Sequence, residues 1–120
     1  ALLDVTGGEK PYAHMIHDAE IAAIYRRNSE ELGRTFAGQD ENNRRFAVST
    51  DMGNLSLVIP SIHPMIGIDS LPAVNHQPEF AAHCATPAAD RALIDGAKAM
   101  AWTAIEIGMD SQLHQRLLES

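Results

Sequence analysis

The side chains that could do chemistry gather in the middle third of the chain. Ser49-Thr50-Asp51-Met52-Gly53-Asn54 is followed by Ser61-Ile62-His63-Pro64 and Val74-Asn75-His76-Gln77-Pro78-Glu79-Phe80, so hydroxyls, a carboxylate and two imidazoles interrupt apolar runs. The first stretch offers the Ser49 and Thr50 hydroxyls, the Asp51 carboxylate, and a glycine that lets backbone N–H groups come close to a ligand. A polar loop entering a helix can hold a substrate carboxylate through such donors. It can also simply cap the helix, and the two roles are compatible.

Neutral imidazole is a common metal ligand and the usual group that titrates near neutral pH. His63 follows an apolar run and precedes a proline, which pins its ring near the end of an expected strand; a hydrogen-bonded structural histidine is the alternative. His76 lies between Asn75 and Pro78, immediately before a short helix, where the ring has little freedom. That suits zinc, which needs its nitrogen at roughly 2.0–2.1 Å; a loop histidine with no role is the alternative. His83 and Cys84 could join His63 and His76 in a small zinc site, although neighbouring helical residues point about 100° apart and ligate together awkwardly. His14, His17 and His114 read as surface residues. Glu30-Glu31, with Arg26, Arg27 and Arg34 at helical spacing, reads as a solvated, salt-bridged helix face and not as a general base.

The elements that must position these groups follow from periodicity. Residues 1–16 combine the strand-like Leu2-Leu3-Asp4-Val5-Thr6 with Gly7-Gly8 and Pro11, a strand end and a linker. Asp18 is an N-cap for a helix over about 19–35, with Ile21, Ile24, Tyr25, Asn28, Leu32 and Phe36 on one face. Gly38 to Asn43 is a polar loop, and Phe46-Ala47-Val48 a short buried strand. Leu55 to Ile59 is strand or helix, and Ile62 to Ile68 is an edge strand. Glu79 to Cys84 forms a short helix. Thr86-Pro87 opens the longest one, whose apolar stripe is Leu93, Ala97, Met100, Ala104 and Ile107, flanked by Ile94, Ala101 and Ile105. Gly108 stops it, and Asp110 caps a last helix presenting Leu113, Leu117 and Leu118. Short strands flanked by helices give an α/β expectation.

Composition narrows the function classes. The 120 residues suit one domain of ordinary size, and a net charge of −7 with pI near 5.2 disfavours a basic nucleic-acid footprint. Arg26-Arg27 and Arg44-Arg45 are too short to form one. Cys84 is the sole cysteine, so no internal disulfide forms; it reads as a buried small hydrophobe in a reducing, cytoplasmic setting. No apolar run approaches the roughly 20 residues that span a bilayer. A first residue other than methionine, followed at once by a strand-like run, suggests that the chain begins inside a longer polypeptide.

The three middle motifs, in this order and spacing, resemble the C-terminal part of a zinc amidohydrolase and metallopeptidase family that includes aminoacylases, carboxypeptidase G and p-aminobenzoyl-glutamate hydrolases, most of all the aminobenzoyl-glutamate branch. The resemblance implies a zinc-peptidase-like catalytic domain, with residues 1–16 the tail of a lid or dimerisation domain and its linker, and residues 17–120 the C-terminal part of the catalytic domain. It implies hydrolysis of an amide bond in N-acyl amino acids, dipeptides or related conjugates, with two metal ions, usually zinc, lowering the pKa of a bridging water toward about 7. His76 then matches the last metal ligand. Ser49, Thr50 and Asp51 match a loop near the substrate, and Asn54 and His63 contact substrate or the developing oxyanion.

The other ligands and the glutamate base of that family lie in an N-terminal half with no counterpart in these residues. The expectation is therefore a segment that needs that missing half as a partner, does not hydrolyse amides alone, and exposes apolar surface that invites homo-oligomers. A non-catalytic interaction or scaffolding domain derived from the same family is the alternative.

Overall fold

A computed structural model of the chain describes Leu3, residues 12–36 and residues 50–119. Among these there is no strand, and the elements are helices: α1 Ala19–Glu31, α2 Met52–Leu55, α3 Pro78–His83, α4 Pro87–Met109 and α5 Ser111–Glu119. The expected α/β arrangement of short strands is thus overturned for the described residues. Leu55 to Ile59 continues from α2 in helical turns. Residues 60–68 run without a ladder partner: Ser61 O accepts from Asp18 N at 2.9 Å, His63 N donates to His17 Nδ1 at 3.4 Å, and Gly67 O accepts from Arg34 Nη1 at 3.3 Å. An apolar run states a local preference, whereas a strand exists only where a neighbour takes its N–H and C=O groups. The strands expected at 2–6 and 46–48, apart from Leu3, and the loop at 38–43 lie outside the described residues.

α1 starts where the sequence places it. Asp18 Oδ1 accepts from the backbone N–H of Glu20 and Ile21 at 3.1 and 3.0 Å, satisfying two of the donors that a helix start leaves free. The helix stops earlier than its periodicity suggests, because Gly33 takes φ +81°. Gly33 N then donates to Glu30 O, and Arg34 N to Ser29 O, a paired C-terminal cap that needs the left-handed residue.

α4 carries the packing. Its buried residues are Ala89, Ala92, Ala99 and Thr103, with Gly96 at the same alternating spacing of three and four. Ile66 Cδ1 lies 3.4 Å from where a Cβ on Gly96 would sit. Small side chains on this face let α1 approach closely with Ile21, Ile24, Tyr25 and Asn28. The pairing is antiparallel, since Arg27 bonds Glu106, Asn28 bonds Thr103 and Arg34 bonds Asp95. These arginines reach across to α4, not to the glutamates of their own helix, which corrects the expected self-bridged face. α5 packs on α4 and returns Arg116 to the start of α1, where it grips Asp18 and Glu20.

The face expected to be core is the other one. Leu93, Ile94, Met100 and Ile105 are 71, 53, 60 and 58% exposed, and Ala97 and Ala104 are open as well. α4 is therefore apolar on two sides and covered on one.

Candidate functional site

The motif at 50–56 folds as a turn into α2. Thr50 Oγ1 accepts from Met52 N at 3.3 Å and so caps the helix, while the Asp51 carboxylate makes no capping bond and is exposed. The Thr50 hydroxyl donates to Asp51 Oδ1 at 3.4 Å. Ser49 lies outside the described residues.

Gly53, Asn54 and Ser56 are occupied by the chain preceding α1. Asn54 Oδ1 accepts from Ala13 N at 2.8 Å, and Ser56 Oγ accepts from Ile16 N at 3.0 Å while donating to Gly53 O at 2.7 Å. Ala13 crosses directly over Gly53: a Cβ there would stand 2.0 Å from Ala13 O. The absence of a side chain is what permits this crossing. In the sequence the same glycine suggests backbone donors for a ligand, and in the fold its open side holds another stretch of this chain.

His63 is exposed, and its backbone N–H donates to His17 Nδ1. That bond puts the His17 ring proton on Nε2 when the ring is neutral. Nothing in the spacing of two histidines 46 residues apart announces this meeting. His17, read from the sequence as an ordinary surface residue, is exposed but tied to a candidate site residue.

His76 is exposed and sits at φ +67°, in a turn where Val74 N donates to Gln77 Oε1 at 3.1 Å. A non-glycine residue in the left-handed region carries a conformational cost that the surrounding turn must hold. Its backbone therefore presents the ring outward and is fixed by the turn, not by side-chain packing.

Among the described residues, no three His, Cys, Asp or Glu side chains gather closely enough to hold a metal ion. A small zinc site built from His63, His76, His83 and Cys84 is thus ruled out. Cys84 is exposed, its thiol directed to Phe80 O at 3.5 Å, so the buried thiol expected from composition is also corrected. Among the described residues no such metal-holding group surrounds His76.

The ionisable group with a resolved perturbation close to this region is Asp18. The Arg116 guanidinium holds its carboxyl below the usual value, helped by the α1 backbone donors and opposed by partial burial. It joins the linker, α1 and α5.

The chain is similar to the Xaa-Arg dipeptidase of Mus musculus, 32% identical over 107 residues, which is 88% of this chain and 24% of that protein. It is 29% identical over 117 residues to the Xaa-Arg dipeptidase of Homo sapiens, covering 98% of this chain and 27% of the relative. The chain thus spans about a quarter of the length of these relatives. No family model matches the chain, and no solved structure matches it significantly. The similarity supports the wider peptidase and amidohydrolase family and does not single out the aminobenzoyl-glutamate branch.

Proposed function

We propose that these residues are a C-terminal portion of a metal-dependent amidohydrolase that cleaves dipeptides or related amides, and that they do not hydrolyse amides alone. The observation that carries this reading is the similarity to two dipeptidases over nearly the whole chain, in which the chain accounts for about a quarter of each relative. Their name favours a dipeptide with a C-terminal arginine over an aminobenzoyl-glutamate conjugate.

In this reading residues 1–16 are the tail of a lid or dimerisation domain, and residues 17–120 belong to the catalytic domain. Ser49, Thr50, Asp51 and His63 lie on the substrate side, His76 supplies one ligand to a zinc pair, and Asn54 holds the loop. When bound, the metal pair would supply a water acidic enough to attack the amide at neutral pH. The remaining ligands and the base come from the rest of the catalytic domain, whose apolar layer covers the outer face of α4. Exposed apolar surface of that extent marks an interaction site.

The test compares the 120-residue chain with the polypeptide extended upstream in its reading frame, both supplied with zinc, on Xaa-Arg dipeptides, N-acyl amino acids and aminobenzoyl-glutamate. Turnover by the extended protein that His76→Ala abolishes supports the proposal. Turnover by the isolated chain, or an extended protein that binds partners but cleaves none of these, would overturn it. An extended protein of that second kind would be a non-catalytic interaction domain of the same descent.

A further inference from the structure

We infer that the cleft between α1 and residues 62–64 is a binding site for a small organic acid, with the carboxylate on Arg26 and the apolar body laid along α1 toward His17. The cleft encloses about 640 Å³, within the range of small-molecule sites. Its floor is a side of α1 where Ala19, Ala22 and Ala23 leave the helix bare, and Ile62, Pro64 and Phe36 supply apolar walls. At 1.5 Å per residue the lane from Ala19 to Arg26 is roughly 10 Å long, room for an aryl group on a short chain.

Three polar side chains join that lining. The Arg26 guanidinium lies over the Phe36 ring, 4.8 Å from its centroid. Stacking fixes the plane of the fork and leaves its N–H edge for an anion, the geometry that a carboxylate takes. The ion pairs of this region go to Arg27 with Glu106 and Arg34 with Asp95, so Arg26 has no carboxylate partner among the described residues. Tyr25 is 5% exposed and lines both this cleft and a smaller one of about 220 Å³ formed with Met65, Ile66 and Gly67. Its hydroxyl has no hydrogen-bond partner among the described residues, and none of their fully enclosed polar side-chain atoms goes unbonded; the hydroxyl therefore reaches one of these two openings. A phenol buried up to its tip and open only there is placed for a ligand oxygen. At the other end His17 has Nδ1 taken by His63 N, so the neutral ring keeps Nε2–H as a donor.

Charge decides the class of ligand. The chain carries 16 acidic residues against 9 lysines and arginines, yet no described residue lining the cleft is a carboxylate. A guanidinium and two neutral polar groups among apolar walls attract an anion and repel a cation. The apolar walls in turn favour an acid with a hydrocarbon body over acetate or phosphate, which have little or none to bury. Neither Asp51 nor His76 lines the cleft, so the inference stands apart from the reading as an amidohydrolase.

The experiment is an amide-shift titration of the 120-residue chain with phenylbutyrate, with phenylbutanol and acetate as the neutral and the short comparators. Phenylbutyrate should shift Ala22, Ala23, Arg26 and Ile62 saturably, leave Ala99 and Leu113 unmoved, and bind roughly tenfold or more tightly than either comparator. Arg26→Gln should bring the acid down to the affinity of the alcohol, and Arg26→Lys, which keeps the charge without the flat fork, should fall between. Ala23→Leu fills the floor with a residue that suits a helix, and should abolish saturation by the acid. If Arg26→Gln unfolds the chain, Ala23→Leu and the comparators on the unaltered chain still decide. Equal binding of the alcohol would leave only an apolar groove, and equal shifts with acetate an adventitious ion only. Either result, shifts spread over the outer face of α4, or no shift at all would overturn the inference.

Discussion

The α1–α4 pair and the stretch from Thr50 to Cys84 are held together in different ways. The pair is fixed by side-chain volume: Ala92 and Ala99 are 0 and 1% exposed, and beside them Asn28 and Thr103 satisfy each other within the interface. The middle stretch has two helices of four and six residues, of which Gly53 alone is a buried helical residue, and its fixings are single hydrogen bonds. Close packing makes the first region intolerant of volume change, because a well-packed interface has nowhere to put an added methyl group. The second region tolerates volume but depends on particular donors and acceptors. The residues with chemical potential, Thr50, Asp51, His63 and His76, all belong to the second.

The contrast breaks most readily at its packed side. Ala99→Leu should lower unfolding stability by about 3 kcal/mol in urea denaturation, the upper end of the usual cost of overpacking. Thr103→Val removes the acceptor of Asn28 Nδ2 and leaves a buried donor unpaired, so a loss of about 1–2 kcal/mol is expected in the same measurement. A loss as small as a surface substitution gives would mean that the interface is looser than its burial indicates.

Asp18 joins the two regions, and pH tests the join. Its carboxyl titrates below its unfolded value of 3.8, so its contribution is fully present above that value and disappears as pH falls through the lower, folded pKa. Asp18→Asn should remove that part of the acid sensitivity and cost up to about 1 kcal/mol near neutrality by removing the charge that Arg116 grips, since asparagine caps a helix as well as aspartate does. Thermal melts of both proteins between neutral and strongly acid pH check this; parallel curves would count against it.

The smallest effect is expected on the outer face of α4. Ile105→Lys replaces a side chain that is 58% exposed, and should change the stability of the isolated chain by no more than ~0.5 kcal/mol. On the proposed reading the same change should be severe in the extended protein, because the charge would be buried against the rest of the catalytic domain. Sedimentation of the isolated chain adds a check on association: a dimer that Ile105→Lys dissociates would show a second copy using this face.

Helix starts were readable because caps are local. Asp18, Thr86 with Pro87, and Asp110 each announce a helix through atoms within three residues, and each does so in the fold. The α1 end was missed because the apolar period runs on to Phe36, while Gly33 between them changes the handedness of the backbone. The strand expected at Ile62 to Ile68 failed for a different reason, since its composition fits a pleated partner that the described residues do not contain. On the candidate site, residue types pointed to the 49–54 stretch, but the use of Gly53, Asn54 and Ser56 to receive the linker rests on contacts about 40 residues apart, which no local spacing encodes.

The sequence by itself determined where α1, α4 and α5 begin, which helix is longest, and that its chemistry-bearing residues cluster in the middle third. Those properties depend on groups within a turn or two of each other. Only the tertiary structure decided which side of α4 is buried. Periodicity favoured the face with the larger side chains, whereas close approach to α1 selected the face with the smallest, leaving the more hydrophobic side open.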